Sequence, residues 1–486
     1  MPKYILSIDE GTTGVTAMIF DSNLKPVSRS YSEFPQIFPQ PGWVEHDPEV
    51  IWETTMKVIT DALSKAGISW KNVACIGITN QRETTVVWDE KGRPICNAIV
   101  WQDRRTAPIC KAMKKYEKKI HKKTGLVVDP YFSATKLKWI LDNVDGARDL
   151  AKRKQLRFGT IDSWLVWKLS GGKSHVTDHS NASRTMLLNI NRLEWDPELL
   201  ELFNVPPDIL PVLTQSCGEI AFSENGIPIS GIAGDQQAAL FGQACVEDGM
   251  VKNTYGTGCF ILMTISQPKL SSLGLLTTVA WTINKTTKYA LEGSVFVAGA
   301  AVQWLRDQLN IIASSSESEN LATSVPDTGD VYVVPAFVGL GAPYWDPYAR
   351  GIIVGITRGT NKAHITRAVL ESIAFQTRDV IECMKKDGGK VIGLRVDGGA
   401  AVNNFLMQFQ ADILGIKVER PIITETTALG AAALAGIGAG VLSIDDVKNN
   451  WQHERIFAPA ISEEEREKKY RRWREAVERA RGWAKT

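Results

Sequence analysis

Apolar and polar positions alternate through the first thirty residues with the period of strands. KYILSIDEGTTGVTAMIFDSNLKPVSRSYSEF reads as strand, glycine turn, strand, turn, strand. Over residues 48–67 the period lengthens to that of a helix, with Ile51, Thr55, Val58, Ile59, Ala62 and Leu63 on one face and Gly67 at the end. VACIGIT then reads as a buried strand. The same signals return after a run of small residues at 242–249. KNTYGTGCFILMTI is strand, glycine turn, strand, with LLTTVAWTI, KYALEGS and the short VYVVPAF following. Residues 363–386 carry Ile365, Val369, Ile373, Val380 and Met384 on one helical face, and VIGLRVDGG feeds the helix AVNNFLMQFQADILG. A glycine turn early in each half predicts an α/β chain of two similarly organised lobes around a central cleft. We divide them as 1–246 and 247–486.

The last segment, SEEEREKKYRRWREAVERARGWAKT, opens with the capping-box pattern Ser462-x-x-Glu465. Tyr470, Trp473, Val477 and Ala480 recur at helical spacing, so a solvated helix docked by one aromatic stripe is expected.

Composition narrows the class. The 486 residues carry a formal net charge of +2, which makes no electrostatic case for nucleic acid or a membrane surface as partner. Asp9 interrupts the only apolar run near the start, so no signal peptide is expected, and no segment approaches the ~18 apolar residues of a membrane span. Seven cysteines, an odd number without a C-x-x-C pair, indicate neither a disulfide framework nor a zinc site. A cytoplasmic enzyme is the expectation.

Some motif matches fail on context. Gly172-Lys173-Ser174 resembles the end of a P-loop, but Trp167 occupies the place of its first glycine. Gly256-x-Gly258 continues to Ile261, so it is no dinucleotide fingerprint. His175 and His179, four apart, read as surface histidines.

Three glycine turns after strands remain: Asp9-Glu10-Gly11-Thr12-Thr13-Gly14, Tyr255-Gly256-Thr257-Gly258 and Asp397-Gly398-Gly399. Glycines let backbone N–H groups approach an oxyanion, and threonine hydroxyls add donors. Asp9 beside phosphate implies Mg2+ between them. In GIAGDQQAALFGQ, Asp235 precedes a helical pattern; it reads equally as a helix cap or as a base facing the cleft. In ITNQRETTVVW, Arg82 and Glu83 sit between buried strands. Arginine only donates and carboxylate only accepts, so together they satisfy both halves of a hydroxyl, each neutralising the other. For both to meet one small ligand, the strand must end or bend near Gln81.

These segments, with PGWVEHDP, NAIVWQDRRTA, NASRTML, AFVGLGAPYWDPYARG and ETTALGAAALAG, resemble those of the glycerol kinases, in order and over essentially the whole chain. These are carbohydrate kinases with the actin- and hexokinase-like, ribonuclease H-like ATPase fold. The resemblance implies transfer from ATP, with Mg2+, to glycerol, and a homodimer or higher homo-oligomer. It implies glycerol binding by Arg82, Glu83, Trp101, Tyr131, Asp235, Gln236 and Phe260, with Asp235 as general base. It places Thr12, Thr13, Gly14 and Thr257 at the ATP phosphates, Gly299, Gln303, Gly399 and Asn403 along the nucleotide, and Asp9 and Asp235 near the metal. Two departures stand out: Gly14-Val15-Thr16 where many members carry serine or arginine, and Asp103 where many carry cysteine. A kinase for another small polyol, or a non-enzymatic nucleotide switch of the same fold, are the competing readings.

Overall fold

The computed structural model describes residues 3–484, and the expected meander opens each half of it. The first sheet has six strands in the order Cys217–Phe222, Pro228–Gly234, Val73–Asn80, Tyr4–Glu10, Gly14–Phe20 and Pro26–Glu33. Tyr4–Glu10 runs antiparallel to Gly14–Phe20 on one side and parallel to Val73–Asn80 on the other, and Pro228–Gly234 continues the parallel part. The seven-stranded second sheet repeats this around Met250–Tyr255. Cys259–Ile265 and Thr286–Val295 form its antiparallel side, Gly393–Asp397 and Val418–Pro421 its parallel side. The chain is thus α/β with two actin/hexokinase-like lobes.

Local chemistry sets the helix ends. The helix Pro48–Lys65 starts with the Asp47 carboxylate accepting from the Glu49 N–H at 2.9 Å and with proline at its first position. It buries the expected stripe from Ile51 to Leu63. In the C-terminal helix Glu463–Ala480, Ser462 accepts from the Glu465 N–H, but Glu465 returns no bond, so only half of the capping box forms. The aromatic stripe docks on the long helix Lys362–Gly388. Trp473 stacks on Phe375 at 5.3 Å, and Tyr470 and Trp473 both donate to the buried Asp379 carboxylate.

The helix Thr426–Gly438, late in the chain, covers the first sheet. It has no polar face because it is buried on nearly all sides. Ser7 and Ser230 of the first sheet donate to its carbonyls at Ala428 and Ala435, at 2.7 and 2.9 Å. Backbones touch throughout: a Cβ on Gly77 would lie 2.2 Å from the Ala431 carbonyl oxygen, and one on Gly430 would lie 1.8 Å from that of Ala238. Gly430→Ala is therefore expected to destabilise the protein by about 3 kcal/mol, since neither backbone can yield cheaply. Urea unfolding measures this against Gly393→Ala, where a new Cβ meets nothing within 4 Å and the change should stay within about 0.5 kcal/mol.

Candidate active site

Parallel strands in register deliver their C-terminal ends to one edge, where ligands of open α/β sheets bind. Glu10 pairs with Asn80, and Gly234 pairs with Asn80 from the other side. The residues that follow, Gly11–Gly14, Gln81–Glu83 and Asp235, therefore emerge together. In the second sheet Thr254 pairs with Asp397, which sets the turns 256–258 and 398–399 side by side.

The strand Val73–Asn80 stops where a bend was expected. Glu83 has φ +63°, a left-handed conformation unusual for glutamate, so Arg82 and Glu83 both turn inward. Both are buried, and each charge favours the other as the sequence suggested, yet they form no direct bond. Arg82 forks onto Glu292 of the second sheet at 2.6 and 3.1 Å, while its Nε reaches Asp235 at 3.2 Å. Glu83 is bound by Arg184 at 2.6 Å, and Arg184 also reaches Glu292 at 3.1 Å. The physical reason is geometric: adjacent residues diverge at a bend, and each finds its counter-ion on another element. Burial resists charge on Glu292, but Arg184 and Arg82 outweigh it and hold the carboxyl at about 2. Burial raises Glu83 in spite of its arginines.

Asp235 is the first residue of the helix Asp235–Gly242; Gly234 holds the cap position, so capping is not its task. Its side chain is 30% exposed, whereas Arg82 beside it is 2% exposed. Its Oδ1 accepts from the Gln236 N–H at 2.7 Å and its Oδ2 from the Gln236 amide at 3.1 Å. Trp101 stands edge to face with Tyr131 and with Phe260, at centroid distances of 5.5 and 6.5 Å. The Tyr131 hydroxyl accepts from Arg82 at 3.4 Å. Arg82 thus links the Asp235 carboxylate to the Tyr131 end of an aromatic cluster.

The glycine turn at 11–14 adjoins the aromatic cluster. The Trp101 indole N–H donates to the Thr12 hydroxyl at 2.9 Å, tying the aromatic wall to the first turn. Thr13 is exposed, and Gly14 is fixed because a Cβ there would lie 2.6 Å from the Ser32 carbonyl oxygen. Phe260 pairs with Thr254 on the hairpin whose turn carries Thr257. Thr257, Gly299, Gln303, Gly399 and Asn403 line one cleft of about 470 Å3 in the second lobe. Gly299 belongs there sterically: a Cβ would sit 2.6 Å from the Gly256 carbonyl oxygen. Asn403 also caps the helix Asn404–Leu414 through the Leu406 N–H at 2.9 Å.

Burial, then the neighbouring Asp235 and Glu425 carboxylates, push Asp9 up to about 8. A carboxylate so disfavoured fits a site that expects added positive charge. Among the described residues, no three His, Cys, Asp or Glu side chains close on one point. A divalent cation here would complete its shell with phosphate oxygens and water, as Mg2+ does.

Residues 4–242 match the N-terminal domain of the FGGY family of carbohydrate kinases, and residues 251–439 match its C-terminal domain. A Thermotoga maritima protein named "Glycerol kinase 2" is 59% identical over 99% of this chain and 100% of its own length. The chain belongs to the FGGY family. Another relative, "Glycerol kinase" of Saccharolobus islandicus, is 60% identical over 99% of this chain and 98% of its own. Among solved structures, Plasmodium falciparum glycerol kinase with ADP superposes with a TM-score of 0.93 at 36% identity, covering 98% of each chain. Lactobacillus acidophilus xylulose kinase gives a TM-score of 0.87 at 25% identity, over 98% of this chain and 97% of its own.

Several residues of this FGGY site escaped the sequence reading. Arg184, Glu292 and Lys252 are fully buried charges, and Lys136 holds the turn of Tyr131 by donating to the carbonyls of Pro130, Tyr131 and Phe132 at 2.5, 2.6 and 3.3 Å. Each is a charge inside an apolar run (KYALEGSV, MVKNTY, NASRTML, SATKLKW), which is the signal that could have found it. His175 and His179 are not surface histidines. They are half-buried and bonded to the Phe158 carbonyl and the Thr282 hydroxyl, and burial lowers His175 to about 4. Asp103 is structural: it accepts from the Val44 N–H at 2.7 Å and chelates Arg105, whose guanidinium lies 3.7 Å over Trp43. It thereby anchors the loop that carries Trp101.

Proposed function

We propose that this chain transfers the γ-phosphoryl group of ATP to glycerol, giving sn-glycerol 3-phosphate and ADP, with Asp235 as general base. The observation that carries the reading is the Asp235 carboxylate. It is partly exposed and held by Arg82 and Gln236, and the same Arg82 reaches Tyr131, whose ring packs on Trp101, itself bonded to the Thr12 hydroxyl. Full-length relatives named as glycerol kinases support the choice of acceptor, and the likeness to an ADP-bound kinase supports the donor.

Arg82 donates to one glycerol oxygen in place of its long bond to Tyr131, and Glu83, whose Oε1 is taken by Arg184, accepts a hydroxyl through Oε2. Trp101 and Phe260 cover the carbon chain. Tyr131 and Gln236 complete the polar contacts. Thr12, Thr13 and the Gly14 backbone hold phosphate oxygens from the first lobe, and Thr257 holds them from the second. Gly299, Gln303, Gly399 and Asn403 line the nucleoside. Mg2+, held near Asp9 and Asp235, supplies charge neutralisation on the phosphates. The terminal hydroxyl attacks phosphorus in line. As the new P–O bond forms and the bond to ADP breaks, the hydroxyl proton passes to Asp235. Its Oδ2, with a single donor from the protein, keeps a lone pair for that proton.

We place the lobe division at 246/247, with the polyol site in the first lobe and most of the nucleotide site in the second. A cytosolic homo-oligomer completes the proposal, supported by the family resemblance. The test is ADP release with glycerol, dihydroxyacetone, xylulose, ribulose or no acceptor. Glycerol should be preferred and ATP turnover slow without it. Preference for a ketopentose, or equal ATP turnover with no acceptor, would refute the reading.

A further inference from the structure

Lys252 stands on the strand Met250–Tyr255 of the second sheet, fully buried, and forms no ion pair with any described carboxylate. An unpaired ammonium in such a place is costly, so the two bonds that it makes carry weight. It donates to the Gln236 side-chain oxygen and to the Thr254 hydroxyl, the latter at 2.9 Å. Burial lowers it to about 8, with the Asp397 and Asp235 charges resisting, which leaves it cationic at neutral pH.

The two ends of a glutamine amide differ, one accepting and one donating, and a lysine ammonium can only donate. With Lys252 on Oε1, the Gln236 NH2 is obliged to face the other way. There it meets Asp235 Oδ2 at 3.1 Å. Lys252 comes from the second sheet, whereas Gln236 and Asp235 follow a strand of the first. The contact thus sets the carboxylate's orientation from across the lobe boundary.

We propose that Lys252 is a positioning residue for phosphoryl transfer: by fixing which end of the Gln236 amide faces Asp235, it sets the direction from which the carboxylate accepts the hydroxyl proton. The assignment rests on the functional reading above. Without the ammonium, the amide can turn its oxygen toward Asp235, and the carboxylate swings away from that repulsion.

A double-mutant cycle tests this with Lys252→Met, Gln236→Ala and the pair, using glycerol and Mg-ATP. K252M is expected to lower kcat by ~30-fold, and to leave the ATP KM within ~3-fold, because the loss lies in the transition state. In the Q236A background the same change should alter kcat by less than ~3-fold, because the link is already cut. A lysine that merely supports the fold, or contacts phosphate directly, would lower kcat by the same factor in both backgrounds. That result, or wild-type kcat in K252M, overturns the proposal. If K252M does not fold, Lys252→Leu, which likewise has no donor, takes its place in the cycle and the same outcomes decide. A wild type that leaves glycerol untouched overturns the functional reading and this assignment with it.

Discussion

Asp235→Asn is expected to lower kcat for glycerol phosphorylation by ~10²–10⁴, the usual contribution of a general base. Asparagine keeps the shape and an oxygen that accepts from the Gln236 N–H and from Arg82, so the start of the helix should hold. Glycerol affinity, read by calorimetry, should therefore change by less than ~5-fold, the pattern of an interaction made in the transition state. Near-full turnover would dismiss Asp235 as the base. A collapse of binding alongside turnover would make it a structural residue instead.

Arg82→Ala is expected to raise the glycerol KM by at least ~100-fold, and the ATP KM by no more than ~3-fold. Under the proposed function Arg82 donates to the polyol, and it is not among the residues that line the cleft of the second lobe. A second cost accompanies the first. Glu292, now facing one arginine rather than two, becomes a poorly compensated buried charge, a change worth about 3 kcal/mol of stability. Arg82→Ala/Glu292→Gln should recover part of that stability without recovering glycerol affinity, as denaturant unfolding and steady-state kinetics would report separately. Equal rises in both KM values would remove Arg82 from the polyol site.

The lobes were legible in the sequence because their signals are local. Alternation followed by a glycine turn gave Tyr4–Glu10 and Gly14–Phe20, and the same pattern gave Met250–Tyr255 and Cys259–Ile265. The bend after Gln81 was legible because one ligand cannot meet both faces of a strand. What failed was partner choice. Arg82 and Glu292 are 210 residues apart, and no period along the chain encodes that meeting. The helix Thr426–Gly438 was opaque for a related reason. An alanine- and glycine-rich run without a polar face indicates burial but not against what, and its neighbours are strands made hundreds of residues earlier. Asp103 could be understood only once its bonds to Val44 and Arg105 were visible.

That late helix has a consequence for biosynthesis. A ribosome that has translated 425 residues has already made every strand of the first sheet, yet the element that roofs one of its faces is still to come. The nascent chain must carry that bare surface, notched at Gly77 and Gly231, from the completion of Pro228–Gly234 until Thr426–Gly438 follows. The N-terminal half is thus unable to mature on its own as it leaves the exit tunnel, and chaperone demand should peak just before the final sixty residues emerge.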